Sequence, residues 1–166
     1  YGEFVSNNAA VVNVNVKKDS DGNIIGAGER KTTIIGDFVT NGGMGTLGYI
    51  TVGLNGDESY WTGNYGDNRG YGVTKGQEGN VTLYMKNGAD WTGFSDGEMN
   101  VTMEGEGTTW YGFNIAEREP DDVGEINGGL TLTLTDKALW QNAITKDQGT
   151  NSKVYTFIGD NGFIDM

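Results

Sequence analysis

The segment from Tyr60 to Tyr71 carries the side chains of this 166-residue chain best suited to binding a ligand. Four aromatic residues and an arginine stand there among glycine and asparagine, and the candidate ligand-binding residues are Tyr60, Tyr65, Arg69 and Tyr71. Aromatic faces pack on sugar rings, while amide and guanidinium groups donate hydrogen bonds to hydroxyls. An irregular loop whose aromatics fold back onto the protein explains the same segment, so both interpretations stay open.

Paired carboxylates are the other candidate chemistry. Glu104 and Glu106 would share a face if that stretch is extended, and Asp121 and Asp122 lie in an acidic stretch at 116–125. Acid–base work on a glycan requires a carboxyl group whose pKa is raised by burial, which carboxylates on an open sheet lack. The acidic stretch could hold a cation or a basic partner, but a solvated loop explains it equally well. We therefore expect a protein that is not an enzyme.

The aspartates at Asp19 and Asp21 resemble the start of a calcium loop. An EF-hand loop beginning at Asp19 would have glycine at its sixth position and glutamate at its twelfth, where this chain has Ile24 and Arg30. A plain turn is the better interpretation. The chain has no cysteine and no histidine, which excludes thiolate nucleophiles, imidazole bases and the usual zinc ligands. We predict no cofactor and no metal.

Net charge and hydropathy restrict the partners. With 23 acidic and 11 basic residues the net charge is −12, which argues against nucleic acid because phosphate binding depends on clustered lysine and arginine. No apolar run approaches the roughly 20 residues that span a bilayer, so direct membrane insertion is not expected. The start at Tyr1 does not read as a signal peptide. We expect residues 1–166 to be one domain, cut from a larger surface protein.

The elements that must position these residues are indicated by a repeat that ends in tryptophan. Each unit begins at an apolar residue and reaches its tryptophan after 11, 10, 9 or 10 positions. The pairs of first and last residue are Ile50 with Trp61, Val81 with Trp91, Val101 with Trp110, and Leu130 with Trp140. The second residue of every unit is threonine. Such self-similarity is typical of stacked-repeat proteins.

Period-two alternation of apolar and polar residues predicts strands with one dry and one wet face. The alternating stretches are 12–16, 81–85 and 130–135, and further strands are expected at 31–39, 153–158 and 162–164. Polar arcs longer than a hairpin turn separate them, which favours parallel strands stacked in successive windings over hairpins. The fold predicted from this pattern is a parallel β-helix, with an antiparallel β-sandwich resembling a carbohydrate-binding module as the alternative.

Two excursions interrupt the repeat. The intervals between successive tryptophans are 30, 19 and 30 residues, so the extra length falls at 62–80 and 111–129, each time just after a tryptophan. In a stacked architecture, insertions at equivalent places emerge on one side, which is often the binding side. These two segments are therefore the candidate binding face.

Two units share the pattern Leu-x-Leu/Met-x-Asn/Asp-x-Ala-x-Trp, at Leu83–Trp91 and Leu132–Trp140. This pattern resembles repeats in the passenger domains of bacterial autotransporters, proteins of the type V secretion route, over about residues 50–146. The resemblance implies a right-handed parallel β-helix on the cell surface or secreted through the outer membrane. It also implies a non-catalytic role in adhesion or display, or a stalk, with a host or bacterial surface glycan or protein as partner. A glycan-active β-helix enzyme remains the alternative.

Overall fold

The computed structural model describes residues 2–7, 10–41, 48–67, 80–115, 119–120, 126–127, 129–143 and 152–165. Within these ranges the chain forms strands and turns and contains no helix. The prediction of an all-β fold is confirmed.

Most of the strands belong to three parallel sheets. Sheet I contains β2 (Val11–Val14), β7 (Tyr49–Asn55), β10 (Asn80–Lys86), β13 (Met99–Glu104), β17 (Leu130–Thr135) and β19 (Thr156–Asp160). Sheet II contains β5 (Thr33–Ile35), β8 (Tyr60–Thr62), β11 (Asp90–Thr92), β14 (Thr109–Gly112), β18 (Leu139–Asn142) and β20 (Phe163–Asp165). Sheet III contains β1 (Glu3–Asn7), β6 (Asp37–Asn41), β9 (Tyr65–Asp67) and β12 (Ser95–Asp96).

The chain visits the three sheets in rotation, so neighbours in each sheet follow one another at intervals in the sequence. From β7 it passes to β8, then to β9, and returns to sheet I at β10 beside its starting strand. Antiparallel strand pairs in the described residues are β3 (Val16–Lys18) with β4 (Ile24–Ala27) and β15 (Glu119–Pro120) with β16 (Ile126–Asn127), besides a single antiparallel bridge between Thr135 and Asn161. The alternative of an antiparallel sandwich is therefore wrong.

The interior is filled by every second side chain of the parallel strands. In sheet I the fully buried positions alternate with half-buried ones along β10, β13 and β17. Apolar side chains in equivalent positions pair strand to strand, for example Leu83 with Val101 and Val101 with Leu132. Burial of such side chains contributes about 25 cal/mol per Å² of apolar surface. The predicted alternation of dry and wet faces is confirmed.

The four tryptophans form one continuous column inside sheet II. Trp61, Trp91, Trp110 and Trp140 are Cα partners on successive strands, with ring centroids 4.6, 4.4 and 5.0 Å apart and interplanar angles of 4° to 12°. These separations match the spacing of about 4.8 Å between neighbouring strands. The tryptophans that end the four repeat units therefore lie in one register.

Each indole is also hydrogen-bonded to the strand before it. The Nε1–H groups of Trp61, Trp91, Trp110 and Trp140 donate to the carbonyl oxygens of Gly36, Gly63, Gly93 and Gly112, at 2.9 to 3.0 Å. A buried indole N–H without a partner would cost free energy, so the column satisfies its polar groups as well as packing its rings.

The repeat units align differently from the sequence prediction. Val81 pairs with Met99, and Val101 pairs with Leu83, so the third unit begins two residues earlier than its Val101 start suggested. The turns that lead from β7, β10, β13 and β17 to sheet II contain three or four residues, which absorbs the remaining differences in length. Asn87 and Gly88, at φ 57° and 88°, provide a left-handed corner between β10 and β11.

Two predicted strands are divided in the structure. The stretch 12–16 breaks at Asn15, whose φ is 46°, so that Val16 starts the antiparallel hairpin instead of continuing β2. The stretch 31–39 breaks at Gly36, between β5 in sheet II and β6 in sheet III. Asn15 and Gly36 both have positive φ, a backbone conformation that turns the chain out of the strand, and the apolar–polar alternation of the sequence does not show it.

Replacing Gly93 by alanine tests the tryptophan column. A Cβ there would collide with the carbonyl oxygen of Gly63 and lie 3.0 Å from Nε1 of Trp91. We expect Gly93→Ala to lower the free energy of unfolding by about 1–3 kcal/mol, as overpacking does. Thr92→Ala, on the exposed face of the same strand, is the control and should change it by about 0.5 kcal/mol or less. Equal urea midpoints for the two variants would contradict this account.

Candidate functional site

The outward side of sheet II is a polar and aromatic surface. Because the tryptophans point inward, the residues on either side of each tryptophan point outward. We call the sheet II face the outward residues of the three central strands: Tyr60, Thr62, Asp90, Thr92, Thr109 and Tyr111. The rings of Tyr60 and Tyr111 belong to residues that are 38% and 51% exposed. They are the aromatic side chains this face offers to a ligand.

The register of the sheet determines the spacing of these groups. Tyr60 is the Cα partner of Asp90, which is in turn the partner of Thr109. Tyr111 lies two strands from Tyr60 and two residues further along its strand. With about 4.8 Å between strands and about 3.3 Å per residue, the two tyrosine Cα atoms are about 12 Å apart. Asp90 and Thr92 lie between them, so hydrogen-bonding groups separate two aromatic platforms.

Asp90 is the carboxylate of this face and can accept hydrogen bonds from a ligand. Partial loss of hydration raises the pKa of its carboxyl group above the ordinary value. The rigid strand on which it stands fixes its backbone through hydrogen bonds from Asp90 N–H to Ser59 O and from Thr109 N–H to Ala89 O, both 3.0 Å. A partly desolvated carboxylate accepts a strong hydrogen bond from a ligand hydroxyl.

The predicted ligand-binding residues do not form one site in the described structure. Tyr60 lies on the sheet II face. The assignment of Tyr65 is corrected, because Tyr65 has no exposed surface and its hydroxyl lies 2.8 Å from Oγ1 of Thr40. Tyr65 is the Cα partner of Phe38 in sheet III, and Phe38 is buried. Tyr65 therefore takes the corresponding inward position on the next strand. Arg69 and Tyr71 fall outside the described residues.

The two predicted excursions connect the same pair of sheets. Residues 62–67 of the first remain within the regular strands of sheets II and III, and 68–79 fall outside the described residues. In the second, Asn114 still bridges Ser95 beside sheet III, and sheet I resumes at Leu130. Both excursions therefore run from sheet III to sheet I, at equivalent places in the rotation.

The candidate carboxylate pair at Glu104 and Glu106 is not a pair on one face. Glu104 ends β13, whereas Glu106 lies in the following turn and contacts Lys137 Nζ at 2.9 Å. The glycines on either side of Glu106 have φ of 94° and 85°, which reverses the chain there. Asp121, Asp122 and most of the acidic stretch 116–125 fall outside the described residues.

Asp19 closes a hairpin loop. Its Oδ1 accepts the N–H groups of Asp21 and Asn23 at 3.0 and 2.8 Å, and its Oδ2 accepts Nδ2 of Asn23 at 3.1 Å. These hydrogen bonds, led by the one from the Asn23 side chain, lower the pKa of Asp19. In the described part of the chain, no group of three or more acidic side chains is arranged to hold a metal ion.

Sequence reasoning overlooked Asp90, Thr92 and Tyr111. The signal was present, because each is a direct neighbour of a tryptophan, and an inward residue in a strand has outward neighbours. What the sequence did not show is that Tyr111 on β14 lies beside Thr92 on β11. The two strands are about 20 residues apart in the chain.

Comparison of the chain with protein-family models, curated proteins and solved structures finds no match. Within the residues described, no helix has the length and apolar character needed to cross a membrane. Function must therefore be argued from the geometry of the surfaces.

The raised pKa of Asp90 predicts a pH effect on stability. The folded state retains a proton on Asp90 at a higher pH than the unfolded state, so its contribution to stability increases as pH falls through the folded pKa. At pH 7 the ionised carboxylate is unfavourable. We expect Asp90→Asn to raise the melting temperature at pH 7, with the gain disappearing near pH 3.5.

Thermal unfolding followed by circular dichroism at both pH values measures this effect. Asp165→Asn makes the same change of charge on the edge strand β20 of the same sheet and is the control for net charge. A gain from Asp90→Asn that is equal at the two pH values would contradict the role of Asp90 ionisation.

Proposed function

We propose that this chain is a segment of right-handed parallel β-helix that serves as a non-catalytic adhesion and display scaffold of a bacterial surface or secreted protein. The observation that carries the proposal is the column of four stacked, hydrogen-bonded tryptophans, which joins successive windings in one register. The right hand follows from the general rule that about 98% of parallel crossover connections are right-handed.

The resemblance to autotransporter passenger repeats supports the cellular setting. In the best-matching unit, Leu83 and Met85 point inward, Asn87 forms the corner and Trp91 joins the column. Ala89 has no exposed surface, and the buried residues Ser59 and Thr108 hold the equivalent position before the neighbouring strands. Each residue of the pattern thus has a scaffolding role, which favours a passenger-type rod that is exported through the outer membrane.

The sheet II face is the proposed binding surface. It combines two exposed tyrosines with threonine hydroxyls and the Asp90 carboxylate, the mixture that suits a surface glycan or a hydroxyl-rich protein surface. Rigid strands hold these groups, so little conformational entropy is lost when a ligand binds. Repulsion from anionic partners is expected because the chain carries a net charge of −12.

The non-catalytic part of the proposal is supported by the described carboxylates. Glu106 is paired with Lys137 at the surface, and Asp19 is held within its own loop. Asp90, whose pKa is raised, has two tyrosines and threonines for neighbours on its face and no second carboxylate beside it on the adjoining strands. A pair of carboxyl groups flanking a scissile bond, which glycoside hydrolysis requires, is not formed by these residues.

Binding to a printed array of bacterial and mammalian glycans, and to a panel of host extracellular matrix proteins, tests the proposal. We expect Tyr60→Ala and Tyr111→Ala each to weaken the interaction about tenfold, which corresponds to about 1.4 kcal/mol. Tyr49→Ala is the matched control, because Tyr49 is 42% exposed but lies on sheet I. Absence of binding by the wild-type chain, or equal losses in all three variants, would contradict the assignment of this face.

A further inference from the structure

The β3–β4 hairpin is seated tightly on the outward side of sheet I. A Cβ on Gly53 of β7 would collide with the backbone oxygen of Asn15 and lie 2.7 Å from Cα of Ala27. Gly53 is an outward position of its strand and is nevertheless buried, because the hairpin covers it. The hairpin is therefore a fixed wall on this face and contributes little to the interior.

A network of amide hydrogen bonds holds the hairpin in place. Nδ2 of Asn15 donates to Gly53 O at 3.1 Å, and Arg30 N–H donates to Oδ1 of Asn15 at 3.2 Å. Nδ2 of Asn55, at the end of β7, donates to Gly28 O at 2.8 Å. Both ends of the insertion are thus tied to sheet I, and Asp19 closes its tip. A wall held by so many specific contacts is pre-organised for a ligand.

Between the hairpin and sheet I lies an open groove of about 430 Å³, within the range of about 300–1,000 Å³ that small-molecule sites occupy. Lys17 and Ile25 line it from the hairpin, and Tyr84, Lys86, Thr102 and Glu104 line it from strands β10 and β13. Ile25 is 52% exposed although it belongs to an ordered strand. Its side chain and the Tyr84 ring provide apolar surface for a ligand.

The charges around the groove balance. The ammonium groups of Lys17 and Lys86 are matched by the carboxylates of Glu104 and of Glu29, which contacts Lys86 Nζ at 3.1 Å. The Lys86 hydrogen bond and charge lower the pKa of Glu29. A site with net positive charge would select an anion, whereas balanced donors and acceptors match a ligand whose groups both donate and accept.

We propose that this groove binds an uncharged sugar ring of a glycan. Hydroxyl groups are both donors and acceptors, so they pair with lysine ammonium groups, with the Glu104 carboxylate and with the Thr102 hydroxyl at once. The apolar face of the ring contacts Tyr84 and Ile25. This site is separate from the sheet II face and depends only on the hairpin and sheet I, so it goes beyond the proposed adhesive role.

Isothermal titration calorimetry with neutral trisaccharides and with uronic-acid trisaccharides of the same linkages tests the groove. We expect the wild-type chain to bind at least one neutral trisaccharide and to bind its uronic-acid counterpart about tenfold more weakly. Tyr84→Ala should weaken neutral binding about tenfold, with Tyr49→Ala on the same sheet as the control. Unfolding midpoints of both variants establish that the fold is retained.

A charge change sharpens the test. Glu104→Gln leaves the groove with an excess positive charge, so we expect it to gain affinity for the uronic-acid trisaccharide relative to the neutral one. Tyr84→Ala should weaken neutral binding by the same factor in the Tyr60→Ala background as in the wild type, which separates this site from the sheet II face. Three results would overturn the proposal: no binding of any trisaccharide, equal affinity of the wild-type chain for neutral and uronic-acid trisaccharides, or no effect of Tyr84→Ala.

Discussion

The hydrogen bond from each indole N–H to a glycine carbonyl of the preceding strand is the interaction on which the rest of the structure depends. It ties the stacked ring to the backbone next to the neighbouring strand, so strand spacing and ring spacing agree. The acceptor must be free of a side chain, because a Cβ on Gly63, Gly93 or Gly112 would strike the glycine carbonyl of the winding before it. Trp61, Trp91 and Trp110 therefore each act as one unit with the glycine two residues later, whereas Trp140 has Asn142 at that place.

A second column, of small residues, allows the corners between sheets I and II to close. Thr32, Ser59, Ala89, Thr108 and Ala138 are all buried there. Oγ of Ser59 donates to Asn55 O at 2.6 Å, and Oγ1 of Thr108 donates to Glu104 O at 2.8 Å. These hydroxyls donate to carbonyl groups at the start of the four-residue turns. In the three-residue turns, the equivalent residue is alanine, and backbone N–H groups donate to the corresponding carbonyls. The sheets stay in register although the turns differ in length.

Both proposed binding surfaces consist of outward residues of the strands, which do not pack in the interior. In the central strands the interior takes every second residue, which leaves the outward positions without a packing role. On sheet II these positions display Tyr60, Asp90 and Tyr111, and on sheet I they form the floor beneath the hairpin. Because the backbone beneath is held on its inner side, such groups are positioned without large loss of entropy on binding.

The amino-acid sequence by itself indicated the all-β class, the alternation of dry and wet faces and the repeat that ends in tryptophan, because period-two alternation and a repeated spacing can be read along the chain. It misplaced Val101 by two residues and placed Tyr65 at the surface, because a register between distant strands is a choice among alternations that look alike. Only the tertiary structure decided that Asp90 and Tyr111 lie near Tyr60, and that a hairpin broken at Asn15 covers Gly53. Those contacts join residues far apart in the chain, and no local pattern records which strand will be the neighbour of another.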